Sequence, residues 1–180
     1  MDSGKNKIIL VTGGARSGKS ALAESLARQA GIHRFYIATA PILDDEMASR
    51  VQKHQQARAN DHWTTIEEQI DLPRALRQAA SQGADSILID CLTLWINNLL
   101  FHHPNYTEND IATETQNLLD TLRQIPATVV LVISEVGLGI VPENHLARLF
   151  RDASGRCAQI IAHEADEVHF TIAGIPLRVK

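Results

Sequence analysis

Ile8-Ile9-Leu10-Val11-Thr12-Gly13-Gly14-Ala15-Arg16-Ser17-Gly18-Lys19-Ser20 joins an apolar, partly β-branched run to a glycine loop that closes on lysine and serine. The run from Ile8 to Thr12 has the pattern of a strand buried on both faces of a parallel sheet. Gly-x-x-x-x-Gly-Lys-Ser placed after such a strand and before a helix is a phosphate-binding loop. Gly13 and Gly18 permit backbone angles closed to other residues, so the N–H groups of Gly14, Ala15, Arg16 and Ser17 can turn toward phosphate oxygens. Lys19 adds a point charge for the β and γ phosphates, Ser20 offers a hydroxyl to Mg²⁺, and the amino end of the next helix favours an anion. A glycine turn that binds nothing would have no use for Lys19 and Ser20.

Outward from the loop, strands and helices alternate. The spacing of Leu22, Leu26 and Ala30 predicts a helix from Ser20 to Ala30, with Gly31 placed to end it. Strands are expected at Phe35–Ala38, Ser86–Asp90 and Val129–Ile133, and a last short pair at Glu167–Ile172 and Leu177–Val179 around Gly174. Helices are expected at Asp44–Arg58, Leu72–Gln82, Leu94–Phe101 and Thr107–Gln124. A long one should reach about Ala165, with Pro142 and Glu143 in its first turn. This alternation implies an α/β domain spanning residues 1–180, with a mostly parallel sheet and helices on both faces. Ligands of such sheets bind at the carboxyl ends of the strands, where Thr12, Ala38, Asp90 and Ser134 fall.

The chain has 180 residues, 44% of them hydrophobic and 21% charged, enough to bury one core. A net charge of -4 gives no basic footprint for nucleic acid or an anionic membrane. No stretch approaches the roughly eighteen apolar residues of a membrane span. The polar segment Met1–Lys7 lacks the apolar run of a secretion signal, so a cytoplasmic protein is expected. Cys91 and Cys157 are too few for a disulfide framework and read as small apolar fillers. His102 and His103 are adjacent in a loop without a third ligand and read as solvated.

A phosphate loop leaves three classes open: a small-molecule kinase or transferase, a GTPase-like switch, and an ATPase motor or nucleic-acid protein, the last disfavoured by the acidic balance. A strand-end acid is needed to orient the metal. Asp90, after Ile87-Leu88-Ile89, is the first candidate and Glu135, beyond Ile133-Ser134, the second.

Met47, Arg50, Val51, His54 and Arg58 fall three and four apart, on one side of the predicted helix. Arg50 and Arg58, a turn either side of His54, would gather a polyphosphate and disfavour the imidazolium, keeping His54 neutral and nucleophilic. In the alternative reading Met47 and Val51 face the core and His54 merely ends that stripe.

Gly13–Ser20, Tyr36-Ile37-Ala38-Thr39-Ala40, Leu43-Asp44-Asp45-Glu46-Met47 and Arg50-x-x-x-His54 resemble the bifunctional adenosylcobinamide kinase and adenosylcobinamide-phosphate guanylyltransferase family of cobalamin synthesis. So do Asp90–Trp95 with Asn98-Leu99-Leu100, the run Glu135–Glu143, Arg148-x-Phe150-Arg151-Asp152 with Gly155, and Ala165–Val168 with Gly174. The similarity runs from about Ile8 to the end.

The resemblance implies two reactions. ATP or GTP phosphorylates the aminopropanol hydroxyl of adenosylcobinamide, and GTP then gives GMP to the resulting phosphate by way of a guanylyl-histidine, which matches His54. It further implies a nucleotide site from Gly13 to Ser20 with Ala38, Thr39, Ala40, Gln55, Gln56, Ala57, Arg58, Glu67 and Asp90. Mg²⁺ would sit at Ser20 and Asp90, on a RecA-like fold assembled as a homotrimer. The family pattern commonly has arginine where this chain has Gln55, proline at Ala59 and asparagine at Ser134 and Ala158. The competing reading from another class is a nucleotide-responsive binding protein that has kept the fold and lost the transfer step.

Overall fold

The computed structural model describes residues 6–41 and 63–180. The helix expected over Asp44–Arg58, with Arg50, His54, Gln55, Gln56, Ala57 and Arg58, lies outside the described residues.

The strands are β1 (Lys7–Gly13), β2 (Arg34–Ala38), β3 (Trp63–Glu67), β4 (Ser86–Asp90), β5 (Thr128–Ser134), β6 (Glu167–Ile172) and β7 (Ile175–Arg178). The described helices are α1 (Lys19–Ala30), α2 (Leu72–Ser81), α3 (Leu92–His102), α4 (Glu108–Leu122) and α5 (His145–Glu164). The strands form one sheet in the order β3-β2-β4-β5-β1-β6-β7, in which all neighbours are parallel except the hairpin β6–β7.

Period-two alternation sorts the strand side chains onto two faces. Ile8, Leu10, Phe35, Ile37, Ile87, Ile89, Val129, Leu131 and Ile133 face α2 to α5 and form the larger core with Leu76, Trp95, Ile111, Leu118 and Ile161. Ile9, Val11, Tyr36, Leu88, Val130 and Val132 face α1, which meets them through Ala23 and Ala27. Those alanines are fully buried and let the helix lie close on β1, β4 and β5. The uninterrupted apolar runs of the sequence are thus explained: each central strand is covered on both sides.

Differences from the sequence expectations have local causes. β3 was not expected: its Thr64, Thr65 and Glu67 are exposed at the sheet edge, so Trp63-Thr-Thr-Ile-Glu67 carries only a weak apolar signal. α5 begins at His145 rather than Pro142, because the Asn144 side chain accepts from the Ala147 N–H and caps the helix there. α3 begins at Leu92, two residues earlier than expected, and β7 occupies Ile175–Arg178, set by its register with His169–Ile172. Cys157 is fully buried, its thiol pushed up to about 12 by burial, so at neutral pH it packs as an uncharged side chain.

An ion-pair cluster ties the first strand to the last two. Lys7 Nζ donates to Glu167 Oε1 at 2.5 Å, His169 Nε2 lies 3.0 Å from Glu167 Oε2, and Arg178 Nη2 is 3.5 Å from Oε1. The hydrogen bond from Lys7, then that with His169, hold the Glu167 carboxyl down at about 2, against an ordinary 4.5. A carboxyl depressed by folding stabilises the fold above its unfolded pKa and loses that contribution as pH falls through the folded one. Between pH about 4.5 and about 2 the protein is therefore expected to lose up to about 3 kcal/mol from this group. Urea midpoints measured across that range should fall less steeply for Glu167→Gln. Parallel curves would show that the cluster contributes nothing.

Candidate functional site: the phosphate loop and the strand ends beside it

The loop between β1 and α1 has the backbone that its glycines allow. Gly13 sits at φ +153°, where a Cβ would lie 2.6 Å from both the Thr171 carbonyl oxygen and Ser17 Oγ. Gly18 sits at φ +95° and precedes α1. Ala15 and Arg16 are exposed at the tip, Arg16 with φ +55°, while Ser17 is buried. The Ser17 N–H donates to the Gly14 carbonyl at 3.3 Å, and Lys19 Nζ folds back to donate to the same carbonyl at 3.1 Å.

α1 has no side-chain cap and no acidic residue in its first turn. The amino end of a helix leaves N–H groups without intrahelical partners and carries positive potential. Here that end begins at Lys19 and Ser20, both half-buried and directly after the loop. The arrangement is fitted to take a polyphosphate.

The neighbouring strand ends bring the other candidates to this face. Gly13 pairs in register with Ser134 on β5, Val132 with Asp90 on β4, and Asp90 with Ala38 on β2. By alternation with Val11, Val132, Leu88 and Tyr36, the residues Gly13, Ser134, Asp90 and Ala38 all belong to the face covered by α1. Asp90 is half-buried two strands from the loop, about 10 Å away at the usual strand spacing. Among the described residues no donor is bonded to its carboxylate. Glu135 is nearer along the sheet: its N–H donates to the Gly13 carbonyl at 2.9 Å, but its Oε1 is occupied by the Gly137 N–H at 2.7 Å.

The Thr39 hydroxyl is engaged with the backbone beside it. Thr39 is fully buried; its hydroxyl accepts from the Cys91 N–H at 2.7 Å and donates to the Cys91 carbonyl at 2.8 Å. Thr39 therefore joins the end of β2 to the residue after Asp90, with Ala38 and Ala40 half-buried beside it. Glu67 is exposed at the end of β3, four strand spacings or about 19 Å from β1. The structure thus brings Gly13–Ser20, Ala38 and Asp90 to one face and leaves Glu67 at the far edge.

Four residues to which the sequence analysis assigned no role support this site. Thr93 Oγ1 accepts from the Ser134 N–H at 2.7 Å, linking the start of α3 to the end of β5. Buried Asn98 donates to the Thr39 carbonyl at 2.9 Å and the Gln69 carbonyl at 3.2 Å. A buried amide inside the apolar helix Leu-Thr-Leu-Trp-Ile-Asn-Asn-Leu-Leu was the available signal, since such a group must find partners. Thr171 and Gly174, from the β6–β7 hairpin, touch the loop itself; nothing local in sequence announces that.

Comparison with known proteins adds two findings. The family model described as cobinamide kinase / cobinamide phosphate guanyltransferase matches residues 9–179. A bifunctional adenosylcobalamin biosynthesis protein CobU of Salmonella typhimurium is 46% identical over 183 residues, covering 96% of this chain and 99% of that one. CobP of Pseudomonas aeruginosa, likewise named a bifunctional adenosylcobalamin biosynthesis protein, is 44% identical over 172 residues, covering 95% and 96%.

Among solved structures, a KaiC-like protein from Pyrococcus horikoshii superposes with a TM-score of 0.56 at 16% identity, covering 92% of this chain and 71% of that one. The flagellar accessory protein FlaH from Methanocaldococcus jannaschii gives 0.55 at 16% identity, covering 97% and 78%. At that identity the likeness speaks to fold alone, and the fold is the RecA-like phosphate-loop architecture that the family resemblance implied.

Proposed function

The chain belongs to the cobinamide kinase / cobinamide phosphate guanyltransferase family, and on that premise we propose that it carries out both reactions in turn on adenosylcobinamide. In the first, the aminopropanol hydroxyl attacks the γ phosphorus of ATP or GTP, loses its proton, and displaces the nucleoside diphosphate. In the second, a His54 ring nitrogen attacks the α phosphorus of GTP and pyrophosphate leaves. The cobinamide phosphate then attacks the guanylyl phosphorus, the P–N bond breaks, and His54 is restored as adenosylcobinamide-GDP departs. The observation that carries this reading is the loop of Gly13–Ser20 at the uncapped end of α1, set in a chain that matches the family over nearly its whole length.

The residues divide between the two tasks. Backbone N–H groups from Gly14 to Ser17 would hold the phosphates, with Ser17 N–H and Lys19 both leaving the Gly14 carbonyl to do so, Lys19 for the β and γ phosphates. Arg50 and Arg58 would gather the phosphates at His54 and receive pyrophosphate as it leaves. Thr39 would keep Ala38, Ala40 and Asp90 in place.

Mg²⁺ fits the donor set. Ser20, in the first turn of α1, and Asp90, at the end of β4 on the strand face that α1 covers, are hard oxygen donors, and the Asp90 carboxylate is open among the described residues. The cation would neutralise charge developing on the phosphoryl oxygens. Asp90→Asn is expected to fold normally and to lose activity at least about ten-fold, because the amide keeps the shape but not the charge that a hard cation prefers. If Glu135→Gln is inactive while Asp90→Asn turns over normally, the metal carboxylate lies on β5 instead.

Self-association as a homotrimer in the cytoplasm completes the proposal. The exposed apolar side chains Ile175 and Leu177 of edge strand β7, with Val179 just after it, support association. Purified protein given adenosylcobinamide, GTP and Mg²⁺ should yield adenosylcobinamide-phosphate and then adenosylcobinamide-GDP, identified by mass. GTP bound without either product would instead describe a nucleotide-binding relative that has lost transfer.

A further inference from the structure

The β6–β7 hairpin meets the phosphate loop and the strand end that leads into it at four points. Its turn is Ile172-Ala173-Gly174-Ile175, with Ile172 paired to Ile175 and positive φ at Ala173 (51°) and Gly174 (81°), the tight two-residue form that projects least from a hairpin end. The Gly174 N–H donates to the Ser17 carbonyl at 2.9 Å. A Cβ on Gly18 would lie 3.2 Å from Gly174 Cα, so the loop and the turn meet backbone to backbone. Thr171 is buried; its hydroxyl donates to the Thr12 carbonyl at 3.1 Å and lies 2.8 Å from Ser17 Oγ. With the Thr171 proton given to Thr12, the Ser17 hydroxyl is the donor of that second bond.

We infer that this hairpin is a brace that holds the phosphate loop in its receptive shape before nucleotide arrives, and that Thr171 is a positioning residue for triphosphate binding, acting through Ser17. The inference rests on the reading of Gly13–Ser20 as the triphosphate loop. Bonds from the hairpin take up the Ser17 carbonyl and hydroxyl and the Thr12 carbonyl, so the centre of the loop is pinned from the side of β6. A loop so held does not have to be ordered by the ligand, and the ordering cost is removed from the binding equilibrium. The same contacts bear on glycine at 13 and 18: a Cβ on Gly13 would lie 2.6 Å from the Thr171 carbonyl oxygen and collide with the brace, and one on Gly18 would press on Gly174.

Thr171→Val keeps the side-chain shape and removes the hydroxyl, leaving Thr12 O and Ser17 Oγ without their partner. GTP affinity, measured by calorimetry without corrinoid, is expected to weaken about ten-fold, and the KM for GTP to rise by the same factor with kcat within about two-fold. Thr171→Ser, which keeps the hydroxyl, should bind within about two-fold of the unaltered protein. In a Ser17→Ala background, Thr171→Val should add less than about two-fold, because the bond through which it acts is already gone. That cycle is measured well below the melting temperature of every variant, so a general loss of stability cannot imitate it. Equal GTP affinity in the unaltered protein and Thr171→Val overturns the brace, as does a full independent loss in the Ser17→Ala background. If the unaltered protein itself fails to bind GTP, the phosphate-loop reading is wrong and the brace falls with it.

Discussion

Lys19→Ala is expected to abolish the kinase reaction and to weaken triphosphate binding by about ten- to a hundred-fold. The ammonium closes the glycine loop and rests on the Gly14 carbonyl, 3.1 Å away, which it can leave for an anion at little cost. A hydrogen bond from a charged donor contributes roughly 1.5 to 3 kcal/mol, and charge that builds on the γ phosphoryl group in the transition state adds to the loss. Lys19 is half-buried and that carbonyl is its hydrogen-bond partner in the structure, so the variant should keep the melting temperature of the parent. Turnover at the original rate by a purified, folded Lys19→Ala protein would remove the loop from the chemistry altogether.

His54→Ala is expected to separate the two reactions: guanylyl transfer is lost and kinase activity remains measurable. An imidazole with an unperturbed pKa near 6.5 is roughly three quarters neutral at pH 7, so the nucleophile is available without a separate base. Protein incubated with GTP labelled at the α phosphate and then denatured should retain label that acid releases and alkali does not, the behaviour of a phosphoramidate. His54→Ala and His54→Asn should retain none. Label persisting in His54→Ala, or full guanylyl transfer by a protein that never takes up label, would favour direct attack of the cobinamide phosphate on GTP.

The parts of the fold most legible in the sequence were those where one physical requirement dominates. Ile8–Thr12, Ser86–Asp90 and Val129–Ile133 are central strands covered on both faces, and burial on both faces leaves an apolar run that nothing else in the chain imitates. β3 shows the reverse case: at the sheet edge only Trp63 and Ile66 of its side chains are half-buried, and the remainder could as well belong to a loop. The start of α5 offered two plausible signals, Pro142 and Asn144, and the side-chain cap decided between them.

In the site, the loop residues were readable because their spacing is itself the mechanism. Thr39 was placed at the nucleotide by resemblance, and its buried bonds to Cys91 give its side chain a supporting task there. Thr171 could not have been found, since its contact with Ser17 spans 154 positions and depends on β6 lying beside β1.

The account stands or falls most directly on where two phosphorus atoms of GTP end up. Adenosylcobinamide is incubated with GTP labelled at the γ phosphate in one reaction and at the α phosphate in another, with Mg²⁺ and no other nucleotide, and the corrinoid product is isolated. If the protein first phosphorylates the aminopropanol hydroxyl and then transfers GMP to that phosphate, adenosylcobinamide-GDP carries both labels in equal amounts, the γ label next to the corrinoid and the α label next to guanosine. A corrinoid that carries neither label, or the γ label alone however long the reaction runs, would contradict the two-step account.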